Sequence, residues 1–335
     1  MKKLADEVRG VPLGGIRAHL ERAGIEVETG KTGLRYRGNC GLVEIEVLKP
    51  AGISLDVVPL RAVVVARTRL HDEFPATDPT VCAHFNRLAA MGALTPMDGK
   101  AYVVSRLTTY EGCDGEDWEL HGQMIAWAAS LSPDAMDPNG PARLAGMRSK
   151  LSTDGKTWPT AELADLQLRF GHRFACSSSE TSFTAEVSLR GGSGAAASGD
   201  DHTALIQMST REQHPALGPG LHVLLQMPHR FASQAPLNRL LMQLNAWEAR
   251  ADDMVPHYGA WCPGQVVNPA YTCFIPAHLW RDWFVQNLLI WMVARARQAD
   301  GLLVARGFIA GFNEDCGQAN DASRPFRRPG FHSAG

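Results

Sequence analysis

Two stretches of the chain run through the same series of residues in the same order. His84-Phe85-Asn86-Arg87-Leu88 is followed by Ala101-Tyr102-Val103-Val104 and then by Ile125-Ala126-Trp127. Pro236-Leu237-Asn238-Arg239-Leu240 is followed by Ala270-Tyr271-Thr272-Cys273 and then by Leu289-Ile290-Trp291. The shared Asn-Arg-Leu and Ala-Tyr identities stand in one order within one series of elements, which predicts two copies of a single folding unit. At 335 residues the chain is long enough for two such units, each with a buried core.

Hydrophobic periodicity supplies the elements. Ile16, Leu20 and Ala23 share a helical face, so 15–24 reads as a short amphipathic helix. Leu42, Ile45 and Val47 with Glu44 and Glu46 between them read as a half-buried strand, and 53–68 contains another. Asp78-Pro79-Thr80 opens a helix over 81–91 that stops at Gly92, Asp98-Gly99 turns into a strand over 100–107, and 118–130 reads as a helix. In the second half, strands are predicted at 166–176, 183–190, 203–210 and 221–227, a helix at 237–250, a strand at 271–275 and a long helix at 279–297. The domain reading is a first module over 1–132, a Pro/Gly/Asp-rich linker over 133–158, a second module over 159–300 and an extension over 301–335. Antiparallel strands flanked by helices make each module α+β: one antiparallel sheet with helices packed on one face.

The helix carrying Leu237-Asn238-Arg239-Leu240 and Asn245, the hairpin after it and the closing amphipathic helix Trp280 to Arg297 resemble the type III secretion chaperone-like fold and its YbjN-like (TY-Chap) relatives. In that fold a helix precedes a three-stranded antiparallel run, and a second helix, further strands and a terminal helix follow. The resemblance covers roughly residues 10–130 and 160–300. It implies a protein that holds a partner polypeptide, with the two fused modules imitating in one chain the dimer that single-module members form.

No motif of standard enzyme chemistry is present. The sequence has no P-loop, no HExxH, no GxSxG and no CxxC, and Gly191–Gly199 lacks a dinucleotide fingerprint and reads as a loop. His71-Asp72-Glu73 reads as a surface turn, because adjacent residues point in different directions. His257, Cys262, Cys273 and His278 are the densest set of soft ligands, at spacings of five, eleven and five that match no zinc signature. His257, Cys262 and Cys273 are therefore the nominees for an unrecognised enzyme site, with core packing as the simpler reading of each. No metal or cofactor is implied.

The aromatic residues point elsewhere. Trp247, Trp261, Trp280, Trp283, Trp291, Tyr258 and Tyr271 crowd the second half. Most are expected in cores, and a groove between Trp247 and Trp261, with Tyr258, Leu237 and Leu241, is the expected seat for a peptide. Lys and Arg number 33 against 35 Asp and Glu, a balance that speaks against nucleic-acid binding. The seven cysteines form no framework, and the first residues lack the apolar core of a signal peptide, so the expectation is a cytoplasmic protein with no membrane insertion. The function expected is non-enzymatic protein binding by a monomeric pseudo-dimer; an enzyme with an unrecognised His/Cys site and a purely structural tandem are the alternatives.

Overall fold

The computed structural model describes residues 13–22, 24–30, 33–38, 41–48, 60–70, 78–87, 90–110, 160–189, 202–214, 218–250, 256–280 and 284–305. The expected helix at 118–130, the linker, the loop at 191–199, His71-Asp72-Glu73 and most of the C-terminal extension lie outside them, as does the side chain of His278.

The first module begins with helix α1 (13–22) and continues through β1 (Glu28–Thr29), β2 (Gly33–Arg37), β3 (Leu42–Leu48), β4 (Leu60–Arg69), helix α2 (Pro79–Asn86), β5 (Ala93–Met97) and β6 (Lys100–Tyr110). The second runs α3 (Thr160–Phe170), β7 (Ala175–Ser178), β8 (Ser182–Ser188), β9 (Thr203–Ser209), β10 (Gly220–Gln226), α4 (Gln234–Arg250), β11 (Ala260–Pro263), β12 (Pro269–Pro276) and α5 (Phe284–Ala305). Each module forms a six-stranded antiparallel sheet, ordered β1-β2-β3-β4-β6-β5 in the first and β7-β8-β9-β10-β12-β11 in the second. Strand for strand the two orders are the same. The protein is α+β and the tandem repeat is present.

Local sequence accounts for most of these elements. The Asp78 carboxylate accepts hydrogen bonds from the Thr80 and Val81 amides (2.8 and 3.4 Å) and Pro79 occupies the first turn, so α2 starts at Pro79, two residues before the expected start. Asp98 and Gly99 both have positive φ, 51° and 73°, the geometry of a two-residue hairpin joining Met97 to Lys100. Strands β3, β8, β9 and β10 alternate buried and more exposed positions as their sequences alternate.

Five elements differ from expectation. The run at 166–176 is not one strand: helix α3 continues to Phe170 and β7 starts at Ala175. Buried Leu163 and Leu166 follow helical spacing, whereas Leu168, which lent the run its apolar density, is 83% exposed. Helix α2 ends at Asn86 rather than 91. Strands β5 and β11 were unforeseen because neither alternates: β11 is buried at every position and β5 contains Pro96. Helix α5 starts at Phe284 and runs to Ala305, past the expected boundary at 300.

The inward face of each sheet carries the core. Cross-strand partners share a face, so Leu34, Val43, Ile45, Val47, Val64, Ala66 and Leu107 form one apolar layer under Ile16 and Leu20 of α1. In the second module Phe183, Ala185, Ile206, Met208, Val223, Leu225, Tyr271 and Cys273 form the equivalent layer, packed with α3, α4 and α5. Ala90 and Met91 join the two layers into one continuous core.

Candidate functional site

The place where the sequence concentrates its chemistry is the buried junction around β11, and helix α4 organises it. Leu237, Leu240, Leu241, Leu244, Asn245 and Glu248 all lie on the buried side of α4. Asn245 and Glu248, one turn apart, therefore both reach β11. The Asn245 side chain donates from Nδ2 to the Trp261 carbonyl (2.9 Å) and accepts the Trp261 amide at Oδ1 (2.8 Å). Trp261 is an edge residue of its sheet, and the amide side chain stands in for the missing neighbour strand.

Helix α2 does the same in the first module. Asn86 donates to the Leu94 carbonyl (3.1 Å) and accepts the Leu94 amide (2.7 Å) on edge strand β5. Asn86 and Asn245 are thus structural counterparts, and so are Leu94 and Trp261. The strand partner of Leu94 is Val103 and that of Trp261 is Tyr271, so Tyr102 corresponds to Ala270. The Asn-Arg-Leu and Ala-Tyr identities that reveal the repeat in the sequence are consequently out of register with it. The register is set instead by Gly92-Ala93 and Gly259-Ala260, each glycine lying so close to the neighbouring strand that a Cβ would overlap Ser105 and Val103 in one module, Thr272 and Cys273 in the other.

The two modules meet around a pseudo-two-fold axis. Four residues before Leu94, the Ala90 carbonyl accepts the Phe274 amide of β12 (2.9 Å); four residues before Trp261, His257 pairs with Arg106 of β6, N to O at 2.7 Å and O to N at 3.0 Å. Phe274 and Arg106 are themselves counterparts, three residues beyond Tyr271 and Val103. Each module therefore lends one residue to the other's sheet, and α2 packs against α4 and against β11, as α4 packs against β5. This is the reciprocal geometry of an isologous dimer interface built within one chain.

Beneath this junction lies a buried polar network. Glu248 Oε1 accepts from Trp261 Nε1 (2.7 Å) and Arg295 Nε (2.9 Å); Glu248 Oε2 faces His257 Nδ1 (2.7 Å) and Arg295 Nη2 (3.0 Å). Arg295 also donates to the Pro256 carbonyl, and its Cζ sits 3.9 Å above the centre of the Tyr271 ring. Burial by itself would raise the Glu248 pKa, but the Arg295 charge and the His257 hydrogen bond outweigh it and hold the carboxyl well below its ordinary value. Burial lowers the His257 pKa, against the raising effect of Glu248. Neutral His257 then keeps its proton on Nδ1, since the ionised carboxylate can only accept. The network holds α4, α5, β11 and the 256–258 segment together, and all its members are sealed from solvent: His257 and Trp261 are 0% exposed.

The nominated site residues fall as follows. Trp261, Tyr258, Leu237 and Leu241 are core residues, and Trp247 is half-buried on α4. The expected open groove between Trp247 and Trp261 is corrected: nothing of Trp261 reaches the surface to line it. Cys262 pairs with Ala270 and Cys273 with Val223, which places the two thiols on opposite faces of the sheet. Burial pushes the thiol of each up to about 12, which disfavours the thiolate that a nucleophile would need. His257, Cys262 and Cys273 are not brought together. Among the described residues no cluster of three or more His, Cys, Asp or Glu could hold a metal ion.

Glu248 and Arg295, which carry the junction, were missed in the sequence. Their signal was there: each is a charged residue at an apolar-stripe position, Glu248 four after Leu244 and Arg295 three after Met292. No family model, curated protein or solved structure matches the chain.

Proposed function

We propose that the protein is a non-enzymatic, chaperone-like tandem that holds a partner polypeptide, its two modules standing in for the two subunits of a single-module dimer of the type III secretion chaperone-like kind. The observation that carries this reading is the pseudo-two-fold junction, with its reciprocal pairing of Ala90 with Phe274 and His257 with Arg106. Such a junction presents two related sheets around one continuous core, the arrangement a binding dimer provides. A cytoplasmic setting fits the free thiols of Cys82, Cys176, Cys262 and Cys273. Among the described residues no helix is long and apolar enough to cross a membrane.

The mode of binding follows from how the edges are closed. Asn86 and Asn245 occupy the outer sides of β5 and β11, and Gln167 of α3 accepts the Ser178 amide and hydroxyl of edge strand β7 (3.0 and 2.7 Å). Strand addition at these three edges would have to displace an amide side chain, which leaves the sheet faces, with only two-residue β1 as a further edge, for the partner.

The test is an array of 15-residue peptides tiled from one reduced, unfolded model protein and probed with the full chain. Selective binding to a subset of peptides, with a stoichiometry near one by calorimetry, supports the reading. No peptide above background at micromolar protein overturns it.

A further inference from the structure

We propose that the outer face of the first sheet is a two-fold contact between copies of this chain, forming a weak, salt-sensitive dimer in which Arg35 of each copy meets Glu44 of the other. The inference goes beyond the polypeptide-holding function and does not depend on it.

Cross-strand register defines the surface. Glu28 stands opposite Arg35, Arg35 opposite Glu44 and Glu44 opposite Arg67, so four neighbouring strands present acid, base, acid, base in one row. These positions alternate with buried Leu34, Tyr36, Val43, Ile45, Ala66 and Thr68, which places the row on the outer face. Glu28 and Arg35 are exposed, and Glu44 and Arg67 are half-buried. In the next row Leu42 stands between Arg37 and Arg69 and is 46% exposed. On the β6 side α4 bounds this surface, with Ala249 packed on Val63, Val65 and Val104.

The fold does not require these charges. The matching row of the second sheet is Ser177, Thr184, Gln207 and Leu224, which carries none. Within the first sheet Glu44 pairs with Arg35 (2.9 Å) and Glu46 with Arg67, but pairs this open to water add little to stability.

The row is complementary to itself. Rotation by 180° about an axis along the strands, midway between β2 and β3, reverses its order. Glu28 then faces Arg67 of the second copy and Arg35 faces its Glu44; with the symmetry mates this makes four acid–base contacts and opposes no like charges within the row. Leu42 and its mate flank the axis about 4.8 Å apart and supply an apolar centre. Twisted sheets pack at about 30°, which displaces the outermost pair, about 7 Å from the axis, by about 4 Å, and the long Glu and Arg side chains take up that distance. The net charge of −2 adds little general repulsion between copies. Four strands by three rows give on the order of 300 Å² per copy, well under the roughly 800 Å² of a stable complex, so association is weak and transient.

The test is sedimentation equilibrium of the full chain, from about 10 to about 500 micromolar, in low and in high salt. In low salt the mass is expected to rise from monomer toward dimer with concentration, and in high salt to stay nearer the monomer. R35E sets carboxylates against each other across the axis and E44R sets guanidinium groups against each other, so each variant alone should dimerise at least about tenfold more weakly. An equimolar mixture of the two should recover association, because every contact of the row is again acid to base. Circular dichroism checks both folds; if either is unfolded, R35Q and E44Q take their place, with a smaller loss and a partial recovery expected. Wild type that stays monomeric at the highest concentration overturns the inference. So does a dimer that neither variant weakens, or a mixture that associates no better than its components. A blank peptide array bears on the holding function alone.

Discussion

At the scale of single residues, Glu248 decides most. Its carboxylate faces Trp261, His257 and Arg295 inside the core, and each of those groups has exchanged water for it. Glu248→Gln removes the charge that balances the buried Arg295 guanidinium, so the expected loss is about 3–5 kcal/mol in denaturant unfolding, far above that of an exposed control such as Glu186→Gln. The histidines set a pH dependence. Burial lowers the pKa of His257 and of His222, whose ring lies 4.6 Å from Phe274. Both stay neutral in the folded chain but take up protons near 6.5 when unfolded, so stability is full above that pH and falls as the pH drops through it. Glu248, depressed in the folded state, adds a loss of the same sign below about 4.5. The melting temperature is expected to decline between pH 7.5 and 5.5, less steeply in His222→Gln; a flat profile contradicts the assignment.

At the scale of elements, amide-capped edges define the fold. The outer N–H and C=O of Leu94 and Trp261 are satisfied by side chains, and Asn86→Ala or Asn245→Ala leaves both groups of one residue without a partner in the core. A cost of about 1–3 kcal/mol is expected, with faster hydrogen exchange at the uncovered Leu94 or Trp261 amide. Pro96 fits beside Asn86 because, two residues after Leu94, its missing N–H falls on the outer side of the edge strand. The paired glycines differ in severity. A Cβ on Gly259 meets the Thr272 backbone carbonyl and the Cys273 Cβ, whereas on Gly92 it first meets the Ser105 hydroxyl, a side-chain atom that can move at the cost of its hydrogen bond to the Met91 carbonyl. Gly259→Ala should therefore lower the melting temperature more than Gly92→Ala; the reverse order would show that β11 shifts more easily than β5.

At the scale of the whole molecule, the two sheets exchange single-residue backbone pairings, the helices of each module pack against the other, and one apolar core runs through both. Met91 and Ala90 pack within the same apolar cluster as Leu225 and Tyr271, and backbone bonds cross the junction in both directions. The chain is expected to unfold in a single calorimetric transition with equal calorimetric and van't Hoff enthalpies, since one apolar cluster runs through both sheets. Two resolved transitions would mean that the junction opens before the modules melt.

Residue order alone was enough to read the chain as α+β, because period-two runs such as Leu42–Val47 and Phe183–Val187 and the leucine stripe of α4 are local patterns; the repeat was expected from identities that lie out of register, and it is the matching strand order of the two sheets that carries it. It also located the turn at Asp98-Gly99, where the chemistry resides in two adjacent residues, and placed the helix after Asp78-Pro79-Thr80 to within two residues of its start. The register of the repeat, the existence of β5 and β11, and the fate of Trp261, Tyr258 and Cys273 were settled by packing between distant segments. Those outcomes depend on partners distant in the chain: Asn245 for Trp261, Phe274 for Ala90, Arg295 for Glu248. A residue's type states what it must bury or bond, and packing against another segment settles whether that need is met inside the core or at the surface.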